Sequence, residues 1–227
     1  MSEERLAEAR HEAQAEAVPF VLLALAAMLG LAALSALHKW ELFGHSDWWV
    51  WIVLAAPLLA LAVTLLTGFG RGGVEQHRRR AIATALIGAV VAGSVAGIVA
   101  IVASLATSIV TGGQLLASAA VILMTNVIAF GLALWELDCG GPVARSMTPR
   151  TAPDLQFPQD ENPGLARPDW SPQLLDYVYV SLTNSIAFSP TDAMPLTRPT
   201  KLLMAGEGLA SAVTVLVVAA RAINVIA

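Results

Sequence analysis

The feature that most constrains this chain is a series of long apolar stretches that lack charge. Residues 18–37, 48–67, 81–110 and 115–135 contain no charged side chain, and residues 202–220 contain one. A bilayer core about 30 Å thick requires about 20 apolar residues for each helix that crosses it. The sequence therefore predicts an all-α integral membrane protein with five transmembrane helices.

Composition supports this class and argues against several others. The chain is 56% hydrophobic and 13% charged, against roughly 25% charged in an ordinary soluble domain. A net charge of −4 does not indicate a nucleic-acid partner. A single cysteine, Cys139, excludes an intrachain disulfide, and no Cys or His pattern indicates a metal or other cofactor. The first apolar stretch is longer than a signal-peptide core, and we expect it to be retained.

Changes in composition divide the chain into four regions. Residues 1–17 form an amphipathic, Ala- and Glu-rich N-terminal helix with solvated charges, and residues 18–135 form a four-helix transmembrane region. Residues 136–172 are a Pro-rich polar linker. Within the last region, 173–227, the apolar segment 173–188 is too short to span and precedes a turn and the last transmembrane helix. The short segment is predicted to be a re-entrant helix.

A re-entrant helix must hide its backbone polar groups in protein or in a water-filled cavity, which favours a role in permeation. The candidate pore and selectivity residues lie on this helix and at its exit: Thr183, Asn184, Ser185, Ala187, Phe188, Ser189, Pro190, Thr191 and Asp192.

These residues resemble the pore domain of the potassium-channel-like superfamily. That family has an aromatic-rich pore helix, the sequence T-V-G-Y-G-D, and a proline before the inner helix. Aligned on Asp192, this chain has A-F-S-P-T-D, with Pro195 in the place of the later proline and Tyr177 and Tyr179 near the start of the helix. Most of the chain is also similar to an uncharacterised group of five-helix bacterial inner-membrane proteins with an aspartate-ended turn.

The resemblance implies a homotetrameric pore that passes inorganic ions, with a ring of Asp192 carboxylates favouring cations. The chain departs from the family at Ser189 and Thr191, which replace the filter glycines, and at Pro190. These residues do not favour a potassium-type ladder of carbonyl oxygens. The implied lining is hydroxyl side chains. A pore-like fold without conduction and an unrelated packing helix remain alternatives.

Glu207 lies between two glycines in the last apolar stretch. Carboxylates at membrane depth normally face a protein interior or water. One hypothesis places it against the short helix, bonded to Asn184 or Thr183 or lining a proton pathway, and the other leaves it solvated beside Lys201.

Two other functions remain open. One is a non-conducting membrane scaffold or assembly protein, which would use a ridge of small residues along one face of the third span: Ala81, Ala85, Ala89, Gly93 and Gly97. The other is an intramembrane enzyme or proton-coupled carrier that uses Glu207 and Asp176. No nucleophile–base or metal pair supports hydrolysis, so we expect no enzymatic activity.

The basic loop 68–80, which contains four arginines, predicts the orientation. Cytoplasmic loops carry an excess of Lys and Arg, so this loop, the N-terminus and the 136–172 linker are expected inside the bacterial inner membrane. The loop before the last helix would then enter from the cytoplasm, inverted as in glutamate-receptor-type channels.

Overall fold

The computed structural model describes residues 3–41, 47–67, 76–105, 111–147, 152–168, 170–187 and 193–226. Over these residues the protein is all-helical apart from one short antiparallel strand pair. The helices are α1 Glu3–Leu37, α2 Trp48–Thr67, α3 Gln76–Leu105, α4 Gly112–Leu137, α5 Pro142–Met147, α6 Pro158–Glu161, α7 Leu174–Ala187 and α8 Arg198–Ile226, with 3-10 turns at Asp138–Gly140 and Pro163–Leu165. The strands are β1 Leu155–Gln156 and β2 Met194–Pro195.

Five of these helices, α1, α2, α3, α4 and α8, are long and apolar enough to cross a membrane. The prediction of an all-α chain with five helices that could span a membrane is confirmed by their length and composition. Helix α7 has 14 residues, and at 1.5 Å per residue it is about 21 Å long, shorter than a bilayer core of about 30 Å.

Helix α4 forms the centre of the bundle. In its most apolar window 67% of the residues are buried, against 22–39% in the other four spans. It packs against α1, α3, α7 and α8, while α2 packs between α1 and α3. The outer faces of the other spans carry exposed apolar side chains such as Leu23, Leu59 and Leu216, as expected for helices that face lipid.

The ridge of small residues in α3 does not lie along one face, contrary to the expectation from its spacing. A step of four residues advances about 40° beyond a full turn, so the row winds around the helix. Ala81 and Ala89 are exposed, whereas Gly97 is buried. A Cβ atom on Gly97 would lie 3.1 Å from Ile122 Cδ1. The Gly97 end of the ridge therefore packs inside the bundle.

Helices α4 and α7 approach each other closely at Gly131. A Cβ atom there would lie 2.9 Å from the Cα atom of Val178 and 2.8 Å from its Cγ2 atom. Because glycine has no side chain, the two backbones can meet at this point. This close approach brings the polar side chains of α7 against α4.

Candidate functional site

Two buried polar clusters lie along α7. The first, which we call the Asp138 cluster, consists of Asp138, Arg145, Asp154 and Tyr177. Asp138 follows the last residue of α4 and is completely buried. Its Oδ1 atom accepts hydrogen bonds from the backbone N–H groups of Asp154 (2.7 Å) and Leu155 (3.2 Å), and its Oδ2 atom accepts one from the Tyr177 hydroxyl (2.5 Å).

Arg145, from α5, supplies a positive charge to this cluster. Its Nη1 atom lies 3.9 Å from Asp138 Oδ2 and donates to the carbonyl oxygens of Trp135 (2.9 Å) and Asp138 (2.8 Å). The guanidinium lies 5.0 Å from the centroid of the Tyr177 ring, within the range of a cation–π contact. The Trp135 carbonyl lies in the last turn of α4, where carbonyl groups lack a partner within the helix, whereas the Asp138 carbonyl also accepts from the Gly141 N–H (3.0 Å).

Asp154 connects this cluster to the start of α8. Its two oxygens accept from the backbone N–H of Cys139 (3.1 Å) and from the Thr197 hydroxyl (2.8 Å). Next to it, Leu155 and Gln156 pair with Pro195 and Met194. The end of α4 and the approach to α8 are therefore held together by one carboxylate and a short strand pair.

The N-terminus of α7 is capped by two acids. Gln173 N–H donates to Asp176 Oδ2 (2.8 Å), and Leu174 N–H donates to Glu16 Oε2 of α1 (2.7 Å). Negative charge is favourable at this end of a helix because the first N–H groups lack intrahelical partners. Glu16 thus has a structural contact beyond the solvating role expected of the N-terminal charges.

The second cluster, the Glu207 cluster, consists of Glu207, Ser181, Asn184, Ser185 and Ser211. Glu207 is completely buried. Its Oε1 atom contacts the hydroxyls of Ser181 and Ser185 (3.1 Å), and its Oε2 atom accepts from Asn184 Nδ2 (2.8 Å). Every one of these partners is a neutral side chain.

Hydrogen bonds continue from this cluster to α4 and α8. Ser211 donates to Ser185 (3.0 Å) and contacts Asn126 Nδ2 (3.4 Å), while Ser181 Oγ lies 2.8 Å from the Val127 carbonyl oxygen. Asn184 Nδ2 also donates to the Met204 carbonyl (2.8 Å). The cluster joins α4, α7 and α8 within the apolar interior.

Some of the residues proposed from sequence are brought together. Asn184 and Ser185 both contact Glu207, which places Glu207 against the short helix and away from solvent. Thr183 instead donates to the Val180 carbonyl of its own helix (3.0 Å), and Ala187 is the exposed last residue of α7. The other candidate pore residues lie outside the described residues: Phe188, Ser189, Pro190, Thr191 and Asp192.

Sequence reasoning missed the Asp138 cluster entirely and did not connect Ser211 or Asn126 to Glu207. A signal for the second omission was present, because Ser181–Ser185 and Glu207–Ser211 are each spaced four residues apart and so share a helix face. Asn126 is also the only amide side chain within residues 115–135. Nothing in the local pattern pairs Asp138 with Tyr177.

Within the part of the chain that the structure describes, no group of three His, Cys, Asp or Glu side chains could hold a metal ion. In the comparisons with known proteins, no family model, curated protein or solved structure matched the chain.

Proposed function

We propose that the chain is a re-entrant-loop membrane protein that assembles as a homotetramer and conducts cations. In this proposal α7 is the pore helix, the residues 187–192 form a filter that is not of the potassium type, and α8 is the helix that follows the pore loop. Two observations support the proposal. Residues 187–192 resemble the filter of a pore loop, and α4, α7 and α8 run in the directions that a re-entrant loop requires.

The observation that carries the proposal is that α7 and α8 run in the same direction. Along α4, Asp138 contacts Tyr177 while Val127 contacts Ser181, so α7 runs antiparallel to α4. Cys139, just after α4, and Thr197, just before α8, both donate to Asp154. Asn126, earlier in α4, contacts Ser211, later in α8, so α8 also runs antiparallel to α4. Two consecutive helices that run in the same direction support a chain that enters the membrane, turns back and enters it again.

The depth of α7 is consistent with this proposal. Its start is held at the Asp138 end of α4, and its Ser185 contacts Ser211, which lies about 13 residues, or roughly 20 Å, into α8. Met194 and Pro195 pair with Gln156 and Leu155, again at the Asp138 end. A helix that stops part-way across a bilayer needs protein or water around its end, as a pore provides.

The orientation that we propose has the N-terminus and residues 142–168 in the cytoplasm, as the basic loop 68–80 favours. The re-entrant helix would then enter from the cytoplasmic side of the bacterial inner membrane. Two reporters can be inserted within residues 142–168, one that is active in the cytoplasm and one that is active in the periplasm. Only the cytoplasmic reporter is expected to be active. Activity of a periplasmic reporter at that position would reverse the proposed orientation.

Ion flux into liposomes tests conduction directly. Purified protein is expected to pass K⁺ and Na⁺, and Asp192→Asn is expected to lower the cation flux and the preference for cations over chloride, because it removes a negative charge from the entrance. Glu161→Gln is the matched control, since it neutralises an exposed acid in α6 that is not one of the proposed filter residues. No flux of any monovalent ion through protein that is folded in the liposomes would favour the non-conducting scaffold.

A further inference from the structure

The hydrogen bonds of the Glu207 cluster and its neighbour Asn126 require one more hydrogen than the serines and asparagines can supply. Six contacts form a continuous set: Asn126 with Ser211, Ser211 with Ser185, Ser185 with Glu207, Asn184 with Glu207, Glu207 with Ser181, and Ser181 with the Val127 carbonyl.

Each serine has one hydroxyl hydrogen. Asn126 gives one hydrogen to Ser211. Asn184 gives one to Glu207, since its second Nδ2 hydrogen serves the Met204 carbonyl. Three serines and two asparagines therefore provide five hydrogens for six contacts. The shortage falls at Ser181, which cannot donate to Val127 and Glu207 at once. A carboxylic acid hydrogen on Glu207, donated to Ser181, completes the set.

None of the described residues that contact Glu207 carries a charge that would stabilise a carboxylate. A buried charge without a partner is costly, and a buried acid avoids that cost by staying neutral. The ion pairs Arg80–Glu136 and Arg145–Asp138 do not include Glu207.

The titratable groups on the three helices around Glu207 lie elsewhere. Helix α4 carries none between Gly112 and Trp135, and its Glu136 pairs with Arg80. On α7, Asp176 caps the helix start, Tyr177 contacts Asp138 and Tyr179 is exposed. On α8, Arg198 and Lys201 are exposed, and the side chain of Arg221 is outside the described part.

We propose that Glu207 is a proton-binding site whose neutral carboxylic acid holds α7 between α4 and α8. Loss of the proton would turn the Ser181 hydroxyl toward the carboxylate and release its bond to the Val127 carbonyl. It would also leave a negative charge among neutral partners. Alkaline pH is therefore expected to loosen α7 from α4. The proposal holds whether or not the protein conducts ions.

Infrared spectroscopy of the full-length protein in lipid tests the protonation state. We expect a carbonyl stretch of a protonated carboxylic acid at neutral pH, which shifts when the glutamates carry ¹³C and disappears in Glu207→Gln. Glu16→Gln is the control and is expected to keep the band. Absence of the band from the wild-type protein would overturn the proposal. Because the isotope shift is measured in the wild-type protein, the test does not depend on the folding of a variant.

Hydrogen–deuterium exchange tests the consequence for α7. The α7 amides of the wild-type protein are expected to lose protection as pH rises, relative to Glu207→Gln at the same pH. The amide nitrogen of glutamine in the place of Oε1 can donate to Ser181 as the acid does, with the Ser185 hydroxyl turned to accept its second hydrogen, and it cannot lose a proton in this range. The comparison extends to the pH at which the infrared band disappears. If the α7 amides are equally protected in the two proteins at every pH in that range, the proton does not hold the helix.

Discussion

Asp138 and Glu207 are both completely buried acids, yet the protein surrounds them in opposite ways. Asp138 has two backbone N–H groups, a phenol and the Arg145 guanidinium around it. Glu207 has two serine hydroxyls and an amide. The first set can stabilise a full negative charge, because a cation and converging donors replace the lost water. The second set contains no cation.

The difference follows from where each acid lies. Asp138 comes directly after α4, where the chain leaves the apolar stretch and a polar connecting segment can fold back over it. Glu207 lies inside α8, where its neighbours are other helices of the bundle. Near a helix end, charge can be paired by residues of the connecting segment. Inside the bundle, only short polar side chains of neighbouring helices are within reach.

The largest expected effect comes from Asp138→Asn. This change removes the negative charge but keeps the shape, so the buried Arg145 guanidinium loses its counter-ion at a cost of about 3–5 kcal/mol. The free energy of unfolding in mixed micelles with increasing SDS would measure it. The same acid-to-amide change at Glu207 is expected to cost less than about 1 kcal/mol, because it removes no counter-ion from a buried cation. Equal losses at both positions would remove the distinction between the clusters.

Both clusters depend on the close approach of α7 to α4, so Gly131→Ala should weaken them together. The new methyl group would meet backbone atoms of Val178 that cannot rotate away. We expect a loss of about 3 kcal/mol, in the upper part of the range for overpacking. Gly88→Ala is the matched control, because no atom lies within 4 Å of the added Cβ. A thermal unfolding series in detergent compares the two, and equal unfolding temperatures would contradict the close approach.

A smaller effect is expected from Tyr177→Phe, which leaves Asp138 with one donor fewer. A hydrogen bond to a charged group contributes about 1.5–3 kcal/mol, and we expect a loss near 2 kcal/mol. Tyr179→Phe removes a hydroxyl from a half-exposed ring two residues away and should leave the unfolding free energy unchanged. A neutral effect of Tyr177→Phe would show that the Tyr177 hydroxyl does not stabilise Asp138.

The smallest effect is expected at the start of α7, where Glu16 of α1 accepts from Leu174 N–H. Glu16→Ala removes a negative charge from a helix N-terminus, which is expected to cost about 0.3–1 kcal/mol and to increase hydrogen exchange in the first turn of α7. Glu12→Ala, one turn earlier on the exposed face of α1, is the control. The same exchange rates in both variants would show that Glu16 does not cap α7.

The sequence by itself determined the spanning helices of this protein. Transfer of a helix into lipid depends on its own length and apolar content, so residues 48–67 or 115–135 indicate a span without knowledge of their neighbours. The shortness of α7 and the unusual position of Glu207 were likewise visible, since both are properties of a local stretch.

The tertiary structure alone decided which polar groups meet. Tyr177 reaches Asp138 across 39 residues of sequence, and Asn126 reaches Ser211 across 85. Such partners depend on which helices are neighbours and on their directions, and composition carries neither. A buried acid can be recognised from its position in an apolar stretch. Whether a cation or a set of hydroxyls surrounds it depends on the residues that other helices bring to that depth.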